Sequence, residues 1–306
     1  MNMKHVKNDI SAAFSMAFIV LVAVLMVSAS SVVILLYQGG QGEKSAEIQP
    51  AKWGDDVKVD YVGRLSDGRV FDASIWSVAS NDAMYPKSLN FQLREKSAYS
   101  PLEFEIGGGQ MIRGFERGVI GLAVGETKVI TILPADGYGP LNQTKLKSIQ
   151  LVQSLPVFES MNISTFMAKF SVSPEMGLAL VDPVWGWDAS IFDLNYDADR
   201  VTVMNTPVLG SVYKVYGDPE AVPKTGWYAE VEYFDSSANG GVGMISVRHI
   251  LDSQDGGRVK GIDPSGNEFI VMTVDSLSNS IVLNYNSEVT GVTLCFTVTL
   301  VEIVKI

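Results

Sequence analysis

Along this chain the hydrophobic pattern changes period three times. From residue 10 to residue 37 no side chain is charged, and the apolar run at 14–27 continues through 32–36. A helix crosses the hydrocarbon core with roughly 20 apolar residues, so this stretch predicts a transmembrane anchor. Ser28-Ala29-Ser30 offers the small residues of a signal-peptide cleavage site, the competing reading, but the apolar run extends past it. Lys4 and Lys7 precede the span and Glu43 is the first charge after it, which predicts residues 1–9 in the cytoplasm and everything beyond residue 38 outside it. Residues 38–50 are rich in glycine and polar side chains, the composition of a flexible tether.

Beyond the tether the period becomes two. Val57, Val59 and Tyr61 alternate with Lys58 and Asp60, and Asp67-Gly68 between apolar stretches predicts a hairpin turn. Residues 74–100 show no period and predict a long loop with one short helical turn. Phe104 and Ile106 start a strand that ends at three glycines. Ile112, Phe115, Val119 and Leu122 carry helical spacing, and 128–133 alternates again. Residues 141–286 are mostly β-rich, with room for a short helix within 146–170. A last strand runs over 293–303. Asp182-Pro183, Val201, Asn205 and Val208-Leu209-Gly210 recur 81 residues later as Asp263-Pro264, Val282, Asn286 and Val289-Thr290-Gly291, a weak internal repeat.

Composition narrows the chemistry. Without Lys4, Lys7 and Asp9 the part beyond the anchor holds 21 basic and 33 acidic residues, so nucleic acid is not expected as a partner. The single cysteine, Cys295, cannot form an internal disulfide and is expected to pack as a small hydrophobe. His249 stands apart from His5 and from Cys295, so neither a histidine-based nucleophile site nor a zinc site is supported, and no metal or cofactor is expected. Gly107-Gly108-Gly109 lacks the third glycine and the βαβ setting of a dinucleotide loop. Asp193, Asn195, Asp197 and Asp199 have calcium-loop spacing, but Ala198 and Met204 occupy the places that need glycine and glutamate, so a polar hairpin turn is predicted instead. Asn142 and Asn162 are glycosylation acceptors in form.

Two segments carry more. Residues 59–72, including Tyr61, Asp67-Gly68, Phe71 and Asp72, and residues 104–139, including Met111-Ile112-Arg113-Gly114-Phe115 and Tyr138-Gly139, together resemble the core of FKBP-type peptidyl-prolyl cis-trans isomerases. The resemblance covers 51–139 and 287–306. It implies an α+β fold, an antiparallel half-barrel sheet wrapped around a short helix, with a catalytic domain at 51–140 completed by a final strand at 287–306. It also implies a proline-binding hollow: Tyr61, Phe71, Asp72, Met111, Ile112, Phe115, Tyr138 and Phe296 as catalytic residues, and Leu102 as a further substrate-binding wall. Phe115 stands where many members have tryptophan, Leu102 where an aromatic is common, and the flap after Tyr138 is replaced by the 141–286 insert. That insert sits where the SlyD-like branch carries a chaperone domain. Unfolded or proline-containing polypeptides are the implied clients, and Met161, Phe166, Met167, Phe170, Trp185 and Trp187 would form either an apolar capture surface or the insert's own core. The expected whole is a membrane-anchored, extracytoplasmic isomerase and folding chaperone. The alternative is a surface chaperone or peptide-binding module on the same scaffold with vestigial activity.

Overall fold

The computed structural model describes residues 49–304. The expected anchor, the residues before it and all but the end of the tether lie outside the described residues. Among the described residues no helix is long and apolar enough to cross a membrane.

Five strands build the first sheet: β1 (Asp56–Arg64), β2 (Val70–Ala73), β3 (Leu102–Glu105), β4 (Thr127–Ile132) and β17 (Leu294–Val304). All pairings are antiparallel, in the order β2-β1-β17-β4, and β3 pairs with the first half of β1 on the edge that β2 takes in the second half. The period-two pattern explains which way β1 faces: Val57, Val59 and Tyr61 point into the main core, while Val62 joins Val70, Ala73 and Val78 under the short helix α1 (Trp76–Ala79). Helix α2 (Arg113–Val119) lies in the concave face of the sheet and buries Phe115 and Val119. It approaches β4 closely because Gly114 and Gly118 face that strand; a Cβ there would come within 2.5 Å of Ile132 and 2.3 Å of Ile130. Cys295 is only half buried, on the strand face opposite Phe296, so it is less enclosed than its apolar neighbours suggest.

Between β4 and β17 the insert forms three four-stranded antiparallel sheets, nested one inside another. The outermost contains β5 (Leu146–Gln150), β14 (Lys260–Ile262), β15 (Glu268–Asp275) and β16 (Ser280–Asn284). The middle one contains β6 (Val152–Leu155), β11 (Val212–Val215), β12 (Trp227–Asp235) and β13 (Met244–His249), and the innermost β7 (Phe158–Met161), β8 (Ala179–Val181), β9 (Asp188–Asn195) and β10 (Arg200–Asn205). Each sheet is a three-stranded meander whose last strand pairs with a strand from far upstream: β16 with β5, β13 with β6, β10 with β7. Each meander has its register shift in the same place, at Phe192, Glu232 and Met272, which stand 40 residues apart.

The weak repeat is therefore one view of a threefold pattern, and its 81-residue offset needs correction beyond the first turn. Asp182 and Asp263 do open equivalent turns, but Asp182 bonds across to Trp187 and Asp263 to Asn267, a turn one residue shorter. After that deletion the offset is 80, so buried Val201 corresponds to buried Ile281 rather than to Val282.

Every such sheet has one apolar face to cover. The innermost uses helix α3 (Ile163–Phe170), whose Phe166 packs on Ala189, Ile191, Val201 and Val203. The other two have no helix covering that face and share one core, built from Val231, Ile245 and Val247 on one side and Phe269, Val271, Ile281 and Leu283 on the other. Trp185 and Trp187 lie fully inside that shared core, stacked 5.1 Å apart, and Phe166 is fully buried. Of the six residues proposed as a capture surface only Met167 is exposed; the others are interior or half-buried, because burying their large apolar area is what holds sheets this small together.

Candidate functional site

The aromatic hollow is assembled from β1, β2, β3, the entrance of α2, the turn after β4, and β17. Tyr61, Phe71, Asp72, Leu102, Met111, Ile112, Phe115, Tyr138 and Phe296 all line one cavity of about 210 Å³, together with Gln110. All nine residues singled out in the sequence thus come together in space.

Phe296 sits at the centre of the floor, 5.1 Å from the Phe115 ring and 5.5 Å from Phe71, both edge-on. Tyr61 meets Phe115 edge-on at 5.8 Å. Such pairs contribute about 0.5–1.5 kcal/mol each beyond the area they bury, and they lock ring orientation. The crossing of Phe71 and Phe296 depends on Gly63 of β1, where a Cβ would lie 2.7 Å from one ring and 2.9 Å from the other. Phe115 is the third residue of α2, so its position follows from where the helix begins. Glu116, buried beside it, accepts a hydrogen bond from the Met111 amide at 3.3 Å and fastens the segment that carries Met111 and Ile112.

Polar groups occupy the rim. The Tyr61 hydroxyl donates to Asp72 Oδ2 at 2.6 Å; burial, then the hydrogen bond to Asp72, push its pKa well above the usual phenol value. The other Asp72 oxygen accepts from the Ala73 amide at 2.8 Å and from Arg94 at 3.2 Å, and Arg94 also donates to the Ala73 carbonyl at 2.7 Å. Arg94 comes from the aperiodic 74–100 loop and is held over the Tyr99 ring at 4.8 Å, which packs on Trp76. Tyr138 is half exposed across the hollow, its hydroxyl ionisation pushed up by burial and then by the Asp72 charge. At neutral pH both tyrosines are therefore O–H donors.

Arg94, Glu116 and Gln110 are the site residues that sequence reasoning missed. Gln110 could have been found as the neighbour of Met111. No pattern marks Arg94, which reaches Asp72 across 22 residues of irregular chain.

The arrangement offers an apolar seat for a compact ring, flanked by phenolic donors, and its one carboxylate, Asp72, is engaged by Tyr61, the Ala73 amide and Arg94. Among the described residues no group of His, Cys, Asp and Glu side chains could hold a metal ion. Such a site binds and orients; it acts on a bound segment through shape, desolvation and hydrogen bonds alone. Half-barrel, helix and hollow together make an apolar, ring-sized recess with a polar rim.

Residues 48–155 match the sequence model of the FKBP-type peptidyl-prolyl cis-trans isomerases. The short-type peptidyl-prolyl cis-trans isomerase of Methanocaldococcus jannaschii is 43% identical over 105 residues, 34% of this chain and 57% of that protein. Peptidyl-prolyl cis-trans isomerase FKBP15-2 of Arabidopsis thaliana is 36% identical over 96 residues, 31% of this chain and 45% of that protein. FK506-binding protein 1A of Neurospora crassa is 32% identical over 127 residues, 39% of this chain and 84% of that protein. The chain spans about half the length of several of the curated relatives it matches. It belongs to the FKBP-type peptidyl-prolyl cis-trans isomerase family.

Proposed function

We propose that this protein is a membrane-anchored peptidyl-prolyl cis-trans isomerase working outside the cytoplasm, and that its insert captures polypeptide clients in the manner of the SlyD-like branch. The observation that carries the activity is the convergence of Tyr61, Phe71, Asp72, Met111, Ile112, Phe115, Tyr138 and Phe296 on one hollow. Rotation about an X-Pro bond meets a barrier of about 18–20 kcal/mol because amide resonance is lost at the twisted state. A site that binds the twisted amide better than either planar isomer lowers that barrier. Phe71, Met111, Ile112, Phe115 and Phe296, with Leu102 as a side wall, hold the proline ring and exclude water. The Tyr138 hydroxyl donates to a carbonyl of the bound peptide. Asp72, fixed by Arg94, orients Tyr61 and polarises the rim.

The anchor and its orientation rest on the uncharged run at 10–37 and on Lys4 and Lys7 before it. Client capture rests on apolar side chains that the insert leaves exposed, among them Met167, Met176, Val181, Phe192 and Tyr196 of the innermost unit. Refolding of a proline-limited protein and suppression of its aggregation, measured with the full chain and with a chain lacking 141–286, test both parts. Acceleration is expected from both chains and suppression only from the full chain. Undiminished suppression without the insert would refute the chaperone assignment, and absent acceleration by either chain would leave only a binding module.

A further inference from the structure

The insert is joined to the catalytic domain through its two roots, where Gly291 donates to the Gly139 carbonyl, and also through a contact away from them. Arg69 follows the Asp67-Gly68 turn between β1 and β2, is braced by Asp67 at 2.7 Å, and is 20% exposed. Its guanidinium donates to the carbonyl of Gly257, in the loop before β14, at 2.8 Å, and lies 3.5 Å from Glu288 on the return connection. The Glu288 carboxylate is 8% exposed and also accepts the backbone amides of Leu89 at 3.1 Å and Asn90 at 2.9 Å. That loop is itself pinned to β2, since the Val70 amide donates to Pro86 and the Ser88 amide to Val70. One arginine and one glutamate thus clasp four segments, two of the catalytic domain and two belonging to the insert or its return.

A carboxylate buried this deeply is stable only while its donors stay in place, so the clasp is directional and resists swinging of the insert about its roots. Two binding sites on one protein help each other most when their separation is held constant, because a chain captured at one then searches a small volume around the other. We propose that Arg69 and Glu288 are specificity-determining residues: they hold the insert at one orientation to the isomerase hollow, so that long polypeptides are favoured over short prolyl peptides. This rests on the isomerase-chaperone reading above. Neither residue lines the hollow, so chemistry on a short peptide is independent of them.

The test uses the full chain in detergent with Cys295→Ser and nitroxides at the exposed positions Val129 and Leu277, measured by pulsed electron double resonance. The same protein is assayed on a short prolyl peptide and on a proline-limited refolding substrate. The parent is expected to give one narrow distance, and Arg69→Met and Glu288→Gln a broad one. In both variants the protein-to-peptide ratio of kcat/KM should fall at least about ten-fold, with peptide turnover held within about two-fold as the mark of a folded catalytic domain. Should Arg69→Met lose peptide turnover, the near-isosteric Glu288→Gln decides. A broad distance in the parent, an unchanged distance in the variants, or a broadened distance with an unchanged ratio overturns the proposal. A parent inactive on both substrates overturns the isomerase reading and the selectivity with it, while the distances still decide the clasp.

Discussion

At Gly63 a single missing methyl group makes the site possible, since β1 must pass beneath two crossed rings. Gly63→Ala should push Phe71 and Phe296 apart, lowering stability by about 1–3 kcal/mol in urea titration and lowering kcat/KM as well. An unperturbed variant would show that the ring crossing is not needed. His249 sets a different kind of prediction. Its ring is buried in the insert, accepts from Trp227 Nε1 at 2.9 Å, and stacks on Trp185; burial lowers its pKa to about 4. The neutral form is the one that folds, so the unfolded chain binds the extra proton. Stability is complete above the ordinary histidine value near 6.5 and falls by up to roughly 3 kcal/mol as pH drops toward 4. Tryptophan-monitored unfolding between pH 7 and 4 should show this slope, and His249→Gln should flatten it. An equal slope in both proteins would contradict the assignment. The isolation of His249 in the sequence argued only against a nucleophile or zinc site, whereas nothing marked Arg94, because a residue delivered by an aperiodic loop leaves no spacing to detect.

Elements with a clear period were the ones foreseen. The alternation of Val57, Val59 and Tyr61 and the helical spacing of Phe115 and Val119 place β1 and α2 directly, because each has one buried and one solvated face. The segment 146–170 was harder: three short strands precede α3, and their partners lie so far downstream that nothing local announces them. The repeat was visible only at its turns, where Asp182 and Asp263 cap backbone amides, since the strands between preserve burial rather than residue identity. Asp182 is also where an element can be broken. Its carboxylate is 2% exposed, accepts the Val184 and Trp185 amides at 2.9 Å each, and pairs with Lys169 of α3 at 3.0 Å. Lys169→Met should leave that charge short of a donor and destabilise the insert by about 2–3 kcal/mol, read by denaturant unfolding. A loss under about 0.5 kcal/mol, the range of an ordinary surface substitution, would mean that water replaces the lysine.

For the molecule as a whole, nesting imposes an order on folding. Phe158 pairs with Met204, Val152 with Arg248 and Leu146 with Asn284, so each successive sheet must close a longer loop. Pulse-labelled hydrogen exchange during refolding should protect β9 and β10 first and β5 with β16 last; protection of the outermost pair first would contradict this. The half-barrel has the same dependence, because β17 arrives only after the whole insert, and Phe296 with it. The most direct test of the account is a protease-free prolyl-isomerisation assay on the full chain and on the double variant Tyr138→Phe with Asp72→Ala. The parent should accelerate isomerisation and the double variant should lose at least about ten-fold in kcat/KM, some 1.4 kcal/mol of transition-state binding. An unchanged rate would remove both residues from the mechanism, and an inactive parent would contradict the claim that this hollow catalyses rotation.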